Sequence, residues 1–247
     1  MRRATLLGAV LCALALVPGA GAITGGQPDG NAHPYVAFVG DPVTREVCSG
    51  SFLSPTLLVT AAHCSTTGSL VLVGPGPNGP ADGFVPGIFT RDPAFCSECG
   101  GGLVGFATHD VAVVQLLFPV QLPRYANLPA LGETAGLRNG ASVTLTGYGV
   151  QGFTVGGGKP EPFGDLTRTT AQAELGTAGR KLDEEFLKVR LNHGGFCFGD
   201  SGGPVLRGDT VLAVNSFIVN ENRCTGVGYS YRLDTPAARA FLAGFGL

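Results

Sequence analysis

No long charged run of the kind that makes surface helices interrupts this chain, whereas 40 of its 247 residues are glycine and 17 are proline. Both residue types break regular structure, glycine by its conformational freedom and proline by its fixed φ and missing donor. What they leave is a series of short apolar, β-branched segments: 35–39, 48–53, 57–60, 70–73, 84–89, the run that follows Asp110, and 142–149. That pattern predicts an all-β fold of short strands joined by tight turns. Two exceptions are expected. Residues 176–188 are charged and helix-prone, and 234–244 carry capping residues, a first-turn Pro236 and a late Gly244, which predicts a short C-terminal helix.

The ends of the chain set its compartment. Residues 1–22 have a basic start (Arg2, Arg3), an apolar core over 6–17 and the small-residue site Ala20-Gly21-Ala22, the composition of a cleavable secretory signal. The apolar core is too short for the roughly 20 residues of a spanning helix. Cleavage leaves residues 23–247 with a net charge of −4 (14 basic against 18 acidic), too mild and scattered to suggest a nucleic-acid or membrane partner. Of seven cysteines one, Cys12, leaves with the signal, and the remaining six are an even number, as expected where thiols oxidise in pairs.

The chemistry is concentrated in Cys197-Phe198-Gly199-Asp200-Ser201-Gly202-Gly203-Pro204. A serine attacks a carbonyl only if a base takes its proton and donors receive the charge that develops on oxygen. The glycines let the N–H groups of Gly199 and Ser201 converge on one point. An ordinary exposed serine in a Gly-rich turn is the plain alternative. The same letters satisfy G-x-S-x-G, the nucleophile elbow of α/β-hydrolases, but there the histidine follows the serine. Here His33, His63, His109 and His193 all precede Ser201.

A base stands in Leu58-Val59-Thr60-Ala61-Ala62-His63-Cys64, an apolar strand ending in a short turn. A carboxylate to fix its tautomer stands in His109-Asp110-Val111-Ala112, at the start of a second apolar run. Taken singly, His63 could be a packed histidine and Asp110 a strand-start residue. His109 would point to the opposite face of the strand from Asp110. His33 has no visible partner and reads as solvated, and His193 reads as a loop residue lining the cleft.

Together T-A-A-H-C, H-D-V-A and G-D-S-G-G-P, in the order His63, Asp110, Ser201, resemble the trypsin and chymotrypsin family of serine proteases, from Ile23 to the final helix. The resemblance implies two antiparallel six-stranded β-barrels, the first over about 23–130 and the second over about 131–233, closed by a helix over about 234–247. It implies a serine endopeptidase with His63, Asp110 and Ser201 as the triad and Gly199 and Ser201 as the oxyanion hole. It also implies that the freed amine of Ile23, in the start Ile23-Thr24-Gly25-Gly26, pairs with Asp200, so that signal cleavage itself would activate the chain without a propeptide. By the same resemblance Cys48 pairs with Cys64 and Cys197 with Cys224. Cys96 and Cys99 match no family pair, and their C-x-x-C spacing lacks the further ligands of a zinc site and the setting of a redox motif, so a local disulfide is expected.

Substrate choice falls to Gly195, Phe196, Phe198, Ser216, Phe217, Ile218 and Gly228. Gly195 aligns with the floor of the primary pocket, where family members that cut after Lys or Arg carry a carboxylate, and Phe196 and Ile218 are bulky. The expectation is a shallow apolar pocket for small or medium uncharged side chains, with the Ser216-to-Ile218 backbone pairing with substrate as an added strand. No metal or organic cofactor is expected, nor a carboxylate-rich calcium loop. The expected partner is a protein or peptide substrate, with a protein inhibitor the other ligand for such a cleft, and the chain is expected to be a monomer. Two rival functions remain: an esterase with the same triad, and a protease-like binding protein that has lost turnover because Phe196 fills its own pocket.

Overall fold

The computed structural model describes residues 23–99, 107–154, 159–177, 184–191 and 194–247. The signal sequence, His193 and the glycine runs at 100–102 and 156–158 lie outside those residues.

Six strands close the first barrel in the order β2-β3-β4-β7-β6-β5: β2 (Val36–Gly40), β3 (Val47–Phe52), β4 (Leu57–Thr60), β5 (Leu70–Gly74), β6 (Val85–Arg91) and β7 (Ala112–Leu116). Valine, leucine and phenylalanine dominate them, and Val36, Phe52, Leu58, Val71, Phe89 and Val113 fill the interior. Every pairing is antiparallel, so short turns suffice to connect most neighbours.

The second barrel runs β8 (Ser142–Gly147), β11 (Thr169–Gly176), β12 (Phe186–Leu191), β15 (Thr225–Arg232), β14 (Thr210–Asn220) and β13 (Pro204–Arg207), and pairing of β13 with β8 closes it. A two-residue strand β1 (Gln27–Pro28) adds to β11, and a small hairpin, β9 (Gly152–Phe153) with β10 (Pro162–Phe163), stands beside the barrel. Helix α1 (Pro236–Ala243) follows, its N-terminus capped by Thr235 Oγ1, which accepts from the Ala238 N–H at 3.2 Å.

One expected element is replaced. Over 186–188, where a helix was expected, the chain is strand. Phe186-Leu187-Lys188-Val189-Arg190-Leu191 buries Phe186, Val189 and Leu191 and pairs with β15 throughout, and that pairing overrides the local helical preference of the charged residues.

The barrels are joined by a buried polar clasp. Arg168, 1% exposed, donates to Asp29 Oδ2 at 2.9 Å, to the carbonyls of Val36 (2.7 Å) and Gly30 (3.0 Å), to Tyr148 Oη (3.2 Å) and to Asn31 Oδ1 (3.3 Å). Tyr148 donates in turn to carbonyls of the first barrel at Val36 and Gly76. His33 belongs here as well, against the expectation that it is solvated: its Nδ1 meets Asp29 Oδ1 and its N–H meets Asp29 Oδ2 at 3.1 Å. The i, i+4 spacing in the tight turn after β1 brings the two together.

Candidate active site

His63 sits on a single 3-10 turn, Ala62–Cys64, at the end of β4, and the Cys48–Cys64 disulfide clips that turn to β3. Asp110 lies two residues before β7 rather than on it. The preceding His109 takes a left-handed φ of 54°, and its imidazole turns towards Asp92, with Nδ1 to Oδ2 3.4 Å. It is this bend, not strand alternation, that separates His109 from Asp110.

The Asp110 carboxylate is fully buried and fully used. Oδ2 takes His63 Nδ1 at 2.8 Å and the Ser216 hydroxyl, and Oδ1 takes the His63 backbone N–H at 3.0 Å. With Nδ1 engaged as a donor, Nε2 is left to accept a proton. Ser216 arrives from the second barrel at a register shift in the β14–β15 ladder, where the extra residue turns its side chain towards Asp110. Burial opposes charge on both groups, but their mutual attraction and hydrogen bonds prevail. His63 is held above the ordinary imidazole value and Asp110 below the ordinary carboxylate value.

Ser201 stands on a loop tied to both barrels. Its carbonyl accepts from the Ser49 N–H at 2.8 Å and lies 3.8 Å from Cys64 Sγ. The next residue, Gly202 (φ 75°), is pressed so closely on the strand leading to His63 that an added Cβ would lie 2.0 Å from Thr60 Oγ1. Gly199 has φ 92°, and its carbonyl accepts from Ser49 Oγ at 2.9 Å. Ser49 thus grips the nucleophile loop at two points, a role that no sequence motif signalled. Among the described residues Ser201 Oγ makes no hydrogen bond to His63, and catalytic contacts in ligand-free sites are often long until substrate tightens them. Cys48, His63 and Cys64 form the one cluster of potential metal ligands among the described residues, and the disulfide removes both thiolates that a metal would need.

The sequence profile described as Trypsin matches residues 22–239. This chain belongs to the trypsin family. It is 26% identical over 220 residues to a trypsin of Sarcophaga bullata, covering 85% of this chain and 83% of that one. It is 28% identical over 190 residues to chymotrypsin-C of Mus musculus, covering 71% and 68%. In fold it is similar to HL collagenase (TM-score 0.67, 18% identity, 94% and 99% covered) and to human heparin binding protein (TM-score 0.64, 19% identity, 90% and 96% covered). The chain is a serine endopeptidase of that family.

The residues expected to line the primary pocket are closely packed. Gly195 carries no carboxylate, and a Cβ there would lie 2.2 Å from Leu191 Cδ2, so any side chain at this position would have to displace the buried Leu191. Phe196 is 2% exposed, belongs to the second barrel's core, and lays its ring on Gly228, where a Cβ would lie 2.2 Å from Cζ. Ile218 packs against the same core, and Phe217 stacks on Tyr229 with ring centroids 5.1 Å apart. Phe198, next to Gly199, is half-exposed. Cys197–Cys224 and Cys96–Cys99 are both disulfide-bonded.

Ile23 and Asp200 are not brought into contact. In the uncut chain the Ile23 nitrogen is a peptide nitrogen, and it donates to Thr169 Oγ1 at 2.5 Å while its side chain is buried in the second barrel. Asp200 spends its oxygens on the N–H groups of Gly149 (2.8 Å) and Cys197 (2.9 Å). Both nevertheless stand against one residue pair, since Thr169 is paired with Gly147 and the Asp200 carboxylate fills the space over Gly147. Burial without a cation outweighs those two hydrogen bonds and pushes the Asp200 carboxyl well above the usual carboxylate range.

Proposed function

We propose that this trypsin-family endopeptidase is secreted, is activated by removal of residues 1–22, and cleaves peptide bonds after small uncharged residues through His63, Asp110 and Ser201. The observation that carries the mechanism is the His63–Asp110 pair, held by a hydroxyl from the opposite barrel with Nε2 directed away from the carboxylate. Ser201 Oγ attacks the carbonyl carbon as His63 Nε2 takes its proton, and the N–H groups of Gly199 and Ser201 receive the oxyanion. His63 returns the proton to the leaving amine, Asp110 stabilises the imidazolium, and water then hydrolyses the acyl-enzyme. Labelling of the secreted protein by a fluorophosphonate, absent in Ser201→Ala, is the expected result. An unreactive wild-type protein would sink the catalytic reading.

The filled pocket supports the substrate class. Phe196→Ala is expected to raise kcat/KM for Leu or Phe before the scissile bond, relative to Ala, by about 100-fold, since pocket volume discriminates at roughly 1–3 kcal/mol per methylene. Paired fluorogenic peptides measure this, with thermal unfolding as the control for loss of a core ring. An unchanged ratio would mean that another residue closes the pocket. Wild type that labels at Ser201 yet cleaves no peptide, even one with Ala before the bond, would favour the binding-protein reading.

Activation can be read from stability. Asp200 is protonated in the uncut fold at pH values where the unfolded chain ionises it, so the folded state binds more protons and stability falls as pH rises above the ordinary carboxylate range. The slope approaches about 1.4 kcal/mol per pH unit. A freed Ile23 amine would give Asp200 a cation and remove that slope. Urea unfolding of the uncut chain and of the chain starting at Ile23, at pH 5 and pH 8, is expected to show the decline in the first alone. Matching profiles would count against the Ile23–Asp200 pairing.

A further inference from the structure

The β6–β7 ladder does not run unbroken past Asp110. It pairs Arg91 with Ala112, carries on as the Asp92 N–H donates to the Val111 carbonyl at 2.9 Å, and then stops. It resumes at Cys96, whose N–H donates to the Thr108 carbonyl at 3.2 Å and whose carbonyl accepts from the Thr108 N–H at 2.9 Å. His109 and Asp110 are the two residues between these fixed points. The direction of the Asp110 carboxylate therefore depends on what holds Val111 on one side and Thr108 on the other.

The gap is spanned under strain. His109 is held at a left-handed φ of 54°, where Cβ crowds the following carbonyl oxygen, and its own carbonyl bends back to accept from the Val111 N–H at 2.8 Å. The inner clamp lies deep in the fold. Asp92 is buried, its Oδ1 accepts from the Ala94 N–H at 2.9 Å and its carbonyl from the Phe95 N–H at 3.0 Å, while the neighbouring Arg91 reaches the Ser65 carbonyl, two residues beyond His63. The outer clamp is a single bridge at the surface. The Cys96–Cys99 disulfide closes a four-residue turn that begins at the bridging residue itself, and Cys99 is exposed. The cysteines of the other two disulfides are all buried.

We propose that Cys96 and Cys99 are a positioning pair for the triad: closed, their disulfide keeps Thr108 bridged and His109 in its strained bend, which aims Asp110 at His63, and opened by a dithiol it lets His109 relax and slows hydrolysis. The effect on turnover rests on the catalytic reading. Opening is a thiol–disulfide exchange. One thiolate of the dithiol attacks the exposed Cys99 Sγ and Cys96 leaves as a thiolate; the second thiol then displaces Cys99, so the reductant departs as a cyclic disulfide and its two protons go to the two cysteines. Loss of the cross-link returns conformational freedom to the turn that carries the bridge. The three hydrogen bonds onto Asp110 remain and hold it in part, so the loss is partial.

The test treats the chain starting at Ile23 with dithiothreitol and maps the freed thiols by alkylation and mass spectrometry. Opening of this pair and, independently, the double substitution Cys96→Ser with Cys99→Ser are expected to lower kcat on a peptide by about tenfold, the scale of the penalty for one left-handed residue, with KM kept within about twofold. NMR titration of the His63 imidazole reads the same event without turnover. Its proton affinity is held up by Asp110 and is expected to fall about tenfold. In His109→Gly, which takes a positive φ without strain, the same opening should cost less than about twofold. Thermal unfolding identifies a variant that has not folded, and reduced wild type then carries the test. An unchanged kcat and His63 titration after opening, labelling of the buried pairs before this one, or an equal loss in His109→Gly would overturn the proposal. A p-nitrophenol burst from a small acyl ester reads Ser201 separately. A burst without a change at His63 overturns the clamp alone, and a change at His63 without a burst supports the clamp while overturning the catalytic reading.

Discussion

Replacing Asp110 with asparagine is expected to lower kcat/KM on a peptide substrate by about 10⁴-fold, roughly 5.5 kcal/mol of transition-state stabilisation, a magnitude taken over from the trypsin family's own triad. The reason lies in the hydrogen bonds. Asp110 accepts from His63 Nδ1, from the His63 N–H and from Ser216, and three donors leave no place for a donor on the carboxyl group itself. An asparagine placed there turns an N–H₂ group towards one of them. If it faces Nδ1, the imidazole must carry its proton on Nε2, and Nε2 can then no longer accept from Ser201. The protonated imidazole also loses the negative charge that holds it above its ordinary pKa. The fold should survive, since shape and one accepting oxygen are kept. Steady-state kinetics beside thermal unfolding will decide. A loss below tenfold in a folded protein would show that Asp110 does not set the tautomer of His63.

Arg168→Met is expected to cost the fold about 3–5 kcal/mol, the penalty for stripping one partner from a buried ion pair. For a chain of this size that is a fall in Tm of roughly 6–20 °C. Both side chains of the pair are fully buried, and the guanidinium also serves carbonyls of Gly30 and Val36 and the hydroxyl of Tyr148, none of which methionine can satisfy. The sign of the pH dependence follows. Burial raises the Asp29 pKa, but bonds from His33 and the charge of Arg168 more than offset it, so the folded pKa is depressed. In wild type the resulting stability is present above the ordinary carboxylate pKa and is lost as pH falls through the depressed value. Without Arg168 that advantage shrinks to what the His33 bonds supply, and the buried carboxylate gains more by taking a proton. The penalty is therefore largest near pH 7 and shrinks towards pH 4, as urea unfolding across that range would show. Asp29→Asn combined with Arg168→Met should recover part of the loss, because the orphaned charge is gone. A penalty below about 1 kcal/mol, or one indifferent to pH, would contradict the account.

The catalytic candidates were legible because each requirement is met within a few neighbouring residues. His63 follows a strand, Asp110 precedes one, and Ser201 is set among glycines that the tight approach of Gly202 to Thr60 requires. The clasp was not. Asp29 and His33 look like solvated turn residues until Arg168, 139 positions further on, reaches Asp29. Ser49 looks like a small residue beside a cysteine, and its hold on Gly199 spans 150 positions. The strand at Phe186–Leu191 was obscured for a related reason: charged, helix-favouring residues surround it, and only its ladder with the distant β15 makes it a strand.

Read alone, the amino-acid sequence determined the all-β class through its local periodicity, while its short motifs carried the resemblance that implied two barrels and named three candidate residues for hydrolysis. Tertiary structure alone decided that Ser216 braces Asp110 from the other barrel, that Phe196 is buried with its ring against Gly228 and that a groove opens beside Gly199. Each of those is a matter of which distant side chain reaches a given volume first, and residue order carries no record of distances between segments that meet only when both barrels close.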